Sequence, residues 1–234
     1  MKATVIRKIA FLLIIVISVT SVPLLSSAKQ DDVNLTVIEL VFDEGSGSIK
    51  VNAIPPTDDS RSNPDYKLLS YRWYTTANYY VNPSNRYSLS ATQVVNIITT
   101  SENTWDKETS FQVFSYSGTT TRSAGKRDGY NVVSWGSYKK GVIAVTYLWS
   151  IGGHMIETDT TLNTFYRWSL SGEPGKMDVQ NIMTHEFGHW CGLNDLYADS
   201  DYWLTMYGFS NYGVTYQRTL GLGDILGLQA VYGE

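Results

Sequence analysis

The chemistry in this chain concentrates in one run, HEFGHWCGLND, from His185 to Asp195. On a helix, side chains four positions apart lie nearly above one another, so the imidazoles of His185 and His189 can converge on one ion. Zinc accepts such a pair readily. Glu186, one position on, falls beside the ion, where a carboxylate suits a general base toward an activated water. A catalytic zinc needs a third protein ligand and an open position. No histidine follows His189 and no glutamate lies between Glu186 and Glu234, which leaves Asp195, Asp199, Asp201 and Asp224 as candidates. Gly192 selects among them. A glycine three residues past His189 can take the left-handed conformation, end the helix and fold the chain back beneath the metal, and Asp195 then follows at a workable distance. An isolated HExxH can fall by chance on an ordinary exposed helix, but two of the chain's three histidines lie in this run. The third, His154, follows Gly152-Gly153 and reads as a turn residue, and Cys191 reads as a small buried residue rather than a nucleophile.

Positioning this run requires a helix from about Met177–Asp178 to Cys191, with Val179, Ile182, Met183 and Trp190 as its apolar face and Gly192 as its stop. An earlier helix follows Ser90, a cap residue with Gln93 at the capping-box position, and carries Val94, Ile97, Ile98 and Trp105 at helical spacing. A last helix covers about Leu222–Val231. Strands are expected at Asn78–Val81, Phe111–Tyr116, Asn131–Trp135, Val142–Leu148 and Met155–Leu162, all rich in β-branched and aromatic residues. Turns at Asp128-Gly129, Lys140-Gly141 and Gly152-Gly153 separate the later ones.

The catalytic run resembles the metzincins, and within them the matrixins, whose pattern is HExxHxxGxxH followed by a methionine-containing turn. His185, Glu186, His189 and Gly192 match, with Asp195 where most of the family has histidine; a few small secreted bacterial metzincins carry aspartate there. In LTMYG, Met206 matches the methionine turn and Tyr207 the matrixin tyrosine after it, while Gly208 replaces the usual proline. YRWYTTANYYVNPSN, NVVSWGS, GVIAVTYLW and LGDILGLQAVYG are similar to the opening, third and fourth strands and the closing helix of matrixin catalytic domains, so the likeness spans about Tyr66 to Gly233.

The resemblance implies an α+β, metzincin-like catalytic domain with a twisted five-stranded mixed sheet, three main helices and a cleft over the active-site helix. It implies a zinc-dependent endopeptidase with one catalytic ion, acting as a monomer on protein or peptide substrates, with Glu186 as general base. By the same likeness Val142–Leu148 is the edge strand of the cleft, to which an extended peptide adds by main-chain hydrogen bonds. The segment Tyr207–Arg218 then frames the pocket beyond the scissile bond. The propeptide cysteine that caps the zinc in matrixins has no counterpart, because Cys191 lies in the active-site helix. Latency would instead take an aspartate among Asp58, Asp59 and Asp65. Calcium has the AGKRDGYN loop as a candidate, without a carboxylate cluster to support it. Two further readings are a non-catalytic binding or adhesion module, which would have lost Glu186 or a ligand, and a zinc amidase acting outside proteins.

Residues 1–28 have the form of a secretory signal peptide: Lys2, Arg7 and Lys8, an apolar stretch from Ile9, and Ser26-Ser27-Ala28 before the cut. The alternative is an uncleaved membrane anchor. Cleavage removes three positive charges and no negative one, taking the formal charge from −4 to −7. That balance, with no run of Lys and Arg in the body of the chain, excludes a nucleic-acid partner, and export makes the protein extracellular. A single cysteine leaves the fold to its core and any metal. Residues 29–65, with a strand-like stretch Leu35–Phe42 and the linker PPTDDSRSNPD, read as a propeptide or N-terminal extension, or as extra strands packed on the main domain, which covers 66–234.

Overall fold

The computed structural model describes residues 35–45 and 61–234. The segment 1–28, read as a signal peptide, lies outside the described residues, as do Asp58 and Asp59. Among the described residues no helix is long and apolar enough to cross a membrane.

Strand alternation opens the fold: β1 (Leu35–Glu44) buries Leu40 and Phe42, and β2 (Ala77–Val81) buries Ala77, Tyr79 and Val81, the period of a half-buried strand. Helix α1 (Ala91–Asp106) starts after Ser90, whose backbone is extended as a cap requires, although its hydroxyl makes no cap hydrogen bond, contrary to the role its position suggests. Then come β3 (Phe114–Thr119), β4 (Asn131–Gly136), β5 (Val142–Ile151) and β6 (His154–Asn163). The short pair β7 (Trp168–Ser169) and β8 (Met177–Asp178) leads into α2 (Val179–Trp190), and β9 (Phe209–Ser210) and α3 (Leu222–Tyr232) close the chain.

The result is a mixed α/β architecture with three helices and a seven-stranded, mostly parallel sheet of order β3-β2-β4-β6-β5-β1-β9, beside the two-stranded β7-β8. All five strands expected from the sequence are in it, but the expectation of a five-stranded sheet is corrected: β1 and β9 extend it on one side. β1 runs antiparallel to β5, from Leu35 opposite Ile151 to Phe42 opposite Ala144, and a register shift after Phe42 sets Asp43 opposite Val142. β9 pairs in parallel with the end of β1, Asp43 with Phe209 and Glu44 with Ser210. Consequently β5 is not the edge strand that the resemblance implied; it lies between β6 and β1. The apolar side chains of β1 supply the reason, since pairing with β5 satisfies the backbone of both strands and takes Leu40 and Phe42 out of water.

Helix α2 is the centre of the molecule, with every residue but Gln180 buried. Its apolar face is the one read from the sequence, but the opposite face is covered as well, so its polar groups need partners inside the protein. The Asp178 carboxylate caps it by accepting from the Asn181 N–H at 2.9 Å. Trp105 of α1 donates from Nε1 to the Thr184 carbonyl at 2.7 Å, and Asn181 Nδ2 donates to Gln217 Oε1 at 2.8 Å. On the other side Phe187 and Trp190 meet the rings of Tyr79 and Phe114 from the sheet.

The loop proposed for calcium is tied down by the protein itself. Asp159 accepts from the N–H groups of Gly125, Lys126 and Val132, and Glu157 from those of Asp128 and Gly129. Those carboxylates are thereby committed to backbone amides, and the calcium reading gains no support.

Candidate metal centre

His185 and His189 project from adjacent turns of α2 with their ring centroids 4.8 Å apart. Each ring is oriented by its inner nitrogen: His185 Nδ1 lies 2.8 Å from the Thr205 carbonyl, and His189 Nδ1 lies 3.0 Å from the Leu193 carbonyl. A carbonyl can only accept, so each Nδ1 carries the proton and each Nε2 presents a lone pair. Both Nε2 atoms are buried without a hydrogen-bond partner, as are both carboxylate oxygens of Asp195. Asp195 Oδ1 stands 3.1 Å from His185 Nε2 and 3.6 Å from His189 Nε2. Among the described residues, His185, His189 and Asp195 are the one group of three or more such side chains that could share an ion. Buried polar atoms left unpaired cost free energy. Four of them converging here, with ligand chemistry and the correct tautomers, fit a divalent metal ion.

The turn after α2 is built as its glycine requires. Gly192 has φ +93°, and a Cβ there would lie 2.8 Å from the Tyr71 carbonyl. The Leu193 and Gly192 N–H groups bond back to the carbonyls of Gly188 and His189, while Leu69 and Asn194 tie the turn to the segment 67–69. Asp195 then lies at the two histidines, 2% exposed. The other candidate aspartates are placed elsewhere: Asp199 is exposed and Asp201 accepts from Asn63 Nδ2 and the Ala198 N–H; Asp65, a candidate for latency, is not in the group either. Asp224 has a different task, accepting from the N–H groups of Gly221, Thr205 and Met206 and so fixing the turn beneath α2. Met206 packs directly under the helix: a Cβ on Gly188 would fall 2.1 Å from its sulfur. Two backbone bonds between Leu196 and the pair Met206 and Gly208 join this turn to the Asp195 segment.

Glu186 is fully buried beside the group. Its Oε2 accepts from Thr146 Oγ1 of β5 at 2.5 Å, while Oε1 has no partner. Thr146 Oγ1 in turn lies 2.6 Å from Thr160 Oγ1 of β6, which accepts from Trp190 Nε1 at 2.9 Å. Since the indole N–H can only donate, the relay runs Trp190 to Thr160 to Thr146 to Glu186. Burial pushes the Glu186 carboxyl up to about 7, with His185 and the Thr146 bond opposing and the Asp195 charge adding. Burial also holds His189 down to about 4. Burial opposes ionisation of Asp195 too, but its two histidines and the Tyr197 hydroxyl outweigh it and lower its pKa.

Several residues here escape sequence reasoning. Thr146 and Thr160 look like ordinary β-branched strand residues. Tyr197 occupies the space left by Gly208, where a Cβ would fall 2.4 Å from its ring. The glycine in the place of proline was the available signal. Phe42 comes from the N-terminal extension, stacks on His185 with ring centroids 3.7 Å apart and planes within 7°, and is wholly buried. His154 is exposed against Tyr74, and burial raises the Cys191 thiol well above its usual range, so neither competes as a functional group.

Neither protein-family models nor curated proteins provide a match to this chain. The residues themselves establish a buried His-His-Asp group that could hold a metal ion, beside a glutamate held by a hydroxyl relay.

Proposed function

We propose that this protein is a secreted zinc-dependent endopeptidase of the metzincin type, matrixin-like, with Asp195 as its third ligand. The observation that carries the reading is the pairing of two oriented, unpartnered Nε2 atoms and Asp195 with a buried glutamate that keeps one oxygen free. The methionine turn under α2 and the glycine turn leading to Asp195 support it. In this reading residues 1–28 direct export and 66–234 form the catalytic domain.

His185 and His189 would hold the ion through Nε2 and Asp195 through a carboxylate oxygen. When bound, zinc supplies Lewis-acid polarisation of a water molecule and of the scissile carbonyl. Glu186 takes the proton of the attacking water on Oε1, the oxygen left without a partner, and delivers it to the departing amine. Thr146 keeps Oε2 fixed meanwhile, so the carboxylate does not swing between the two steps. The Thr205 and Leu193 carbonyls hold both imidazoles in the ligating tautomer.

Metal removal tests the reading. Elemental analysis of the purified chain should find zinc at about one ion per chain, as a single catalytic site requires. Because β1 lies along β5, hydrolysis of denatured casein is followed after residues 35–45 have been cut away. Treatment with 1,10-phenanthroline should abolish that hydrolysis and added zinc should restore it. Hydrolysis persisting in metal-free protein would overturn the proposal.

A further inference from the structure

A buried pair of amides joins the helix that carries the two histidines to the turn that carries Met206. Gln217, in the single 3-10 turn Tyr216–Arg218, is wholly buried, and so is Asn181, one helical turn before His185 on α2. The Gln217 backbone N–H donates to Asn181 Oδ1 at 2.9 Å, while Asn181 Nδ2 donates to Gln217 Oε1 at 2.8 Å and to Ser210 Oγ of β9 at 3.1 Å. That leaves Gln217 Nε2 for two main-chain carbonyls, Tyr207 at 3.0 Å and Thr205 at 3.3 Å. A backbone N–H can only donate and a carbonyl can only accept, so neither amide can be turned over without setting like against like.

Thr205 and Tyr207 flank Met206, and the Thr205 carbonyl is also the acceptor that orients His185, 2.8 Å from its Nδ1. The turn is thus gripped from both sides. Asp224 of α3 accepts from the N–H groups of Thr205 and Met206, and Gln217 donates to the carbonyls of Thr205 and Tyr207. Of these two grips, the one through Gln217 leads back to α2, so it ties the carbonyl that orients His185 to the helix from which His185 projects. The neighbouring Arg218 anchors the same 3-10 turn by other means: its Nε and Nη2 hold the Asp178 carboxylate at 2.8 and 2.6 Å, and Nη2 also donates to the Leu170 carbonyl. Loss of Gln217 would have two opposed effects on His185. A carbonyl freed of a second donor accepts more strongly, but a turn no longer held lets the carbonyl drift. The first is the smaller effect, because a carbonyl has two lone pairs and the Gln217 bond to Thr205 is long beside that of His185.

We propose that Gln217 is a positioning residue of the metal centre: through the Thr205 carbonyl it fixes the direction of the His185 lone pair, and through Asn181 it refers that direction to α2. This rests on the reading of His185, His189 and Asp195 as metal ligands and adds to it a residue that never touches the ion. Losing the partner directly behind a ligating histidine lowers metal affinity about 10–100-fold. Gln217 stands one bond further out, so the lower end of that range, about tenfold, is expected.

The test uses the full chain, stripped of metal and titrated with zinc or cobalt(II), and is read without any hydrolysis. Gln217→Met keeps the side-chain length but removes both donors, so the chain should hold zinc about tenfold less tightly against a chelator, and the visible absorption bands of its cobalt form should shift. Gln217→Glu keeps the acceptor for Asn181 and sets an oxygen against the two carbonyls, so it should lose at least as much affinity. Arg218→Lys is the comparison: it loosens the hold on Asp178 and should lower the urea midpoint, with zinc affinity and cobalt spectrum those of the parent. Should the Gln217 variants fail to fold, Asn181→Asp serves in their place, because an oxygen facing Gln217 Oε1 drives that amide over and takes Nε2 off the carbonyls, with the same loss of affinity. Folded Gln217 or Asn181 variants with the parent's zinc affinity and cobalt spectrum, or with losses that Arg218→Lys reproduces, would overturn the positioning role while the metal reading stood. A parent chain that takes up neither ion would overturn the metal reading, and the role of Gln217 with it.

Discussion

At the scale of single residues, Thr146 is where the environment of the proposed base is set. Its hydroxyl bonds Glu186 Oε2, and its own lone pair is satisfied by Thr160, so Thr146→Val removes both bonds without changing side-chain volume much. With residues 35–45 cut away, this substitution should lower kcat about tenfold or more, with KM and zinc content little changed, because positioning of a general base acts on the transition state. The bond lowers the Glu186 pKa, so its loss should move the acid limb of the kcat profile to higher pH. Thr146→Ser should restore both. A Thr146→Val enzyme with unaltered rate and profile would remove the relay from the account. Asp195 carries a second expectation at this scale: as an anion it donates more negative charge to the ion than histidine would, so Asp195→His should bring the activity optimum to lower pH.

At the scale of elements, the turn from α2 to Asp195 depends on Gly192, and its demand can be separated from that of an ordinary left-handed glycine. Gly129 has φ +83° with open space around its Cβ position, whereas Gly192 has φ +93° and a carbonyl 2.8 Å away. Gly129→Ala should therefore show only the conformational cost, about 1 kcal/mol, and Gly192→Ala about 1–3 kcal/mol more from the clash in urea unfolding, with weakened zinc binding. Equal losses would deny the turn its special role. Much of this element was legible in the residue order, because local chemistry sets it: helical spacing of His185 and His189, a glycine stop, an aspartate after it. Enrichment in β-branched and aromatic residues likewise marked five of the seven strands of the sheet. The destination of β1 was not legible, since its partner lies about a hundred residues away and an apolar strand carries no mark of which edge it will join. The same limit hid Phe42 and the Thr146 relay, whose roles arise only when distant segments meet.

At the scale of the whole molecule, burial of the carboxyls around the core gives the fold a pH dependence apart from its chemistry. Burial pushes Glu102 of α1, beside Tyr79 and Asp106, up to about 7 from the ordinary 4.5. A carboxyl whose folded pKa is raised stabilises the fold most below its unfolded value, and that contribution is lost as pH rises from about 4.5 through 7. Glu102→Gln removes the ionisation, so its stability relative to the parent chain should increase by about 1–3 kcal/mol between pH 4 and pH 8. A difference independent of pH, measured by denaturant unfolding, would contradict this. The central claim is that this architecture places a general base beside a buried metal centre, and it is tested most directly by Glu186→Gln. With residues 35–45 cut away, the account predicts zinc bound in both proteins and casein hydrolysis about 10²–10⁴-fold slower in Glu186→Gln. Equal hydrolysis with equal zinc would contradict it.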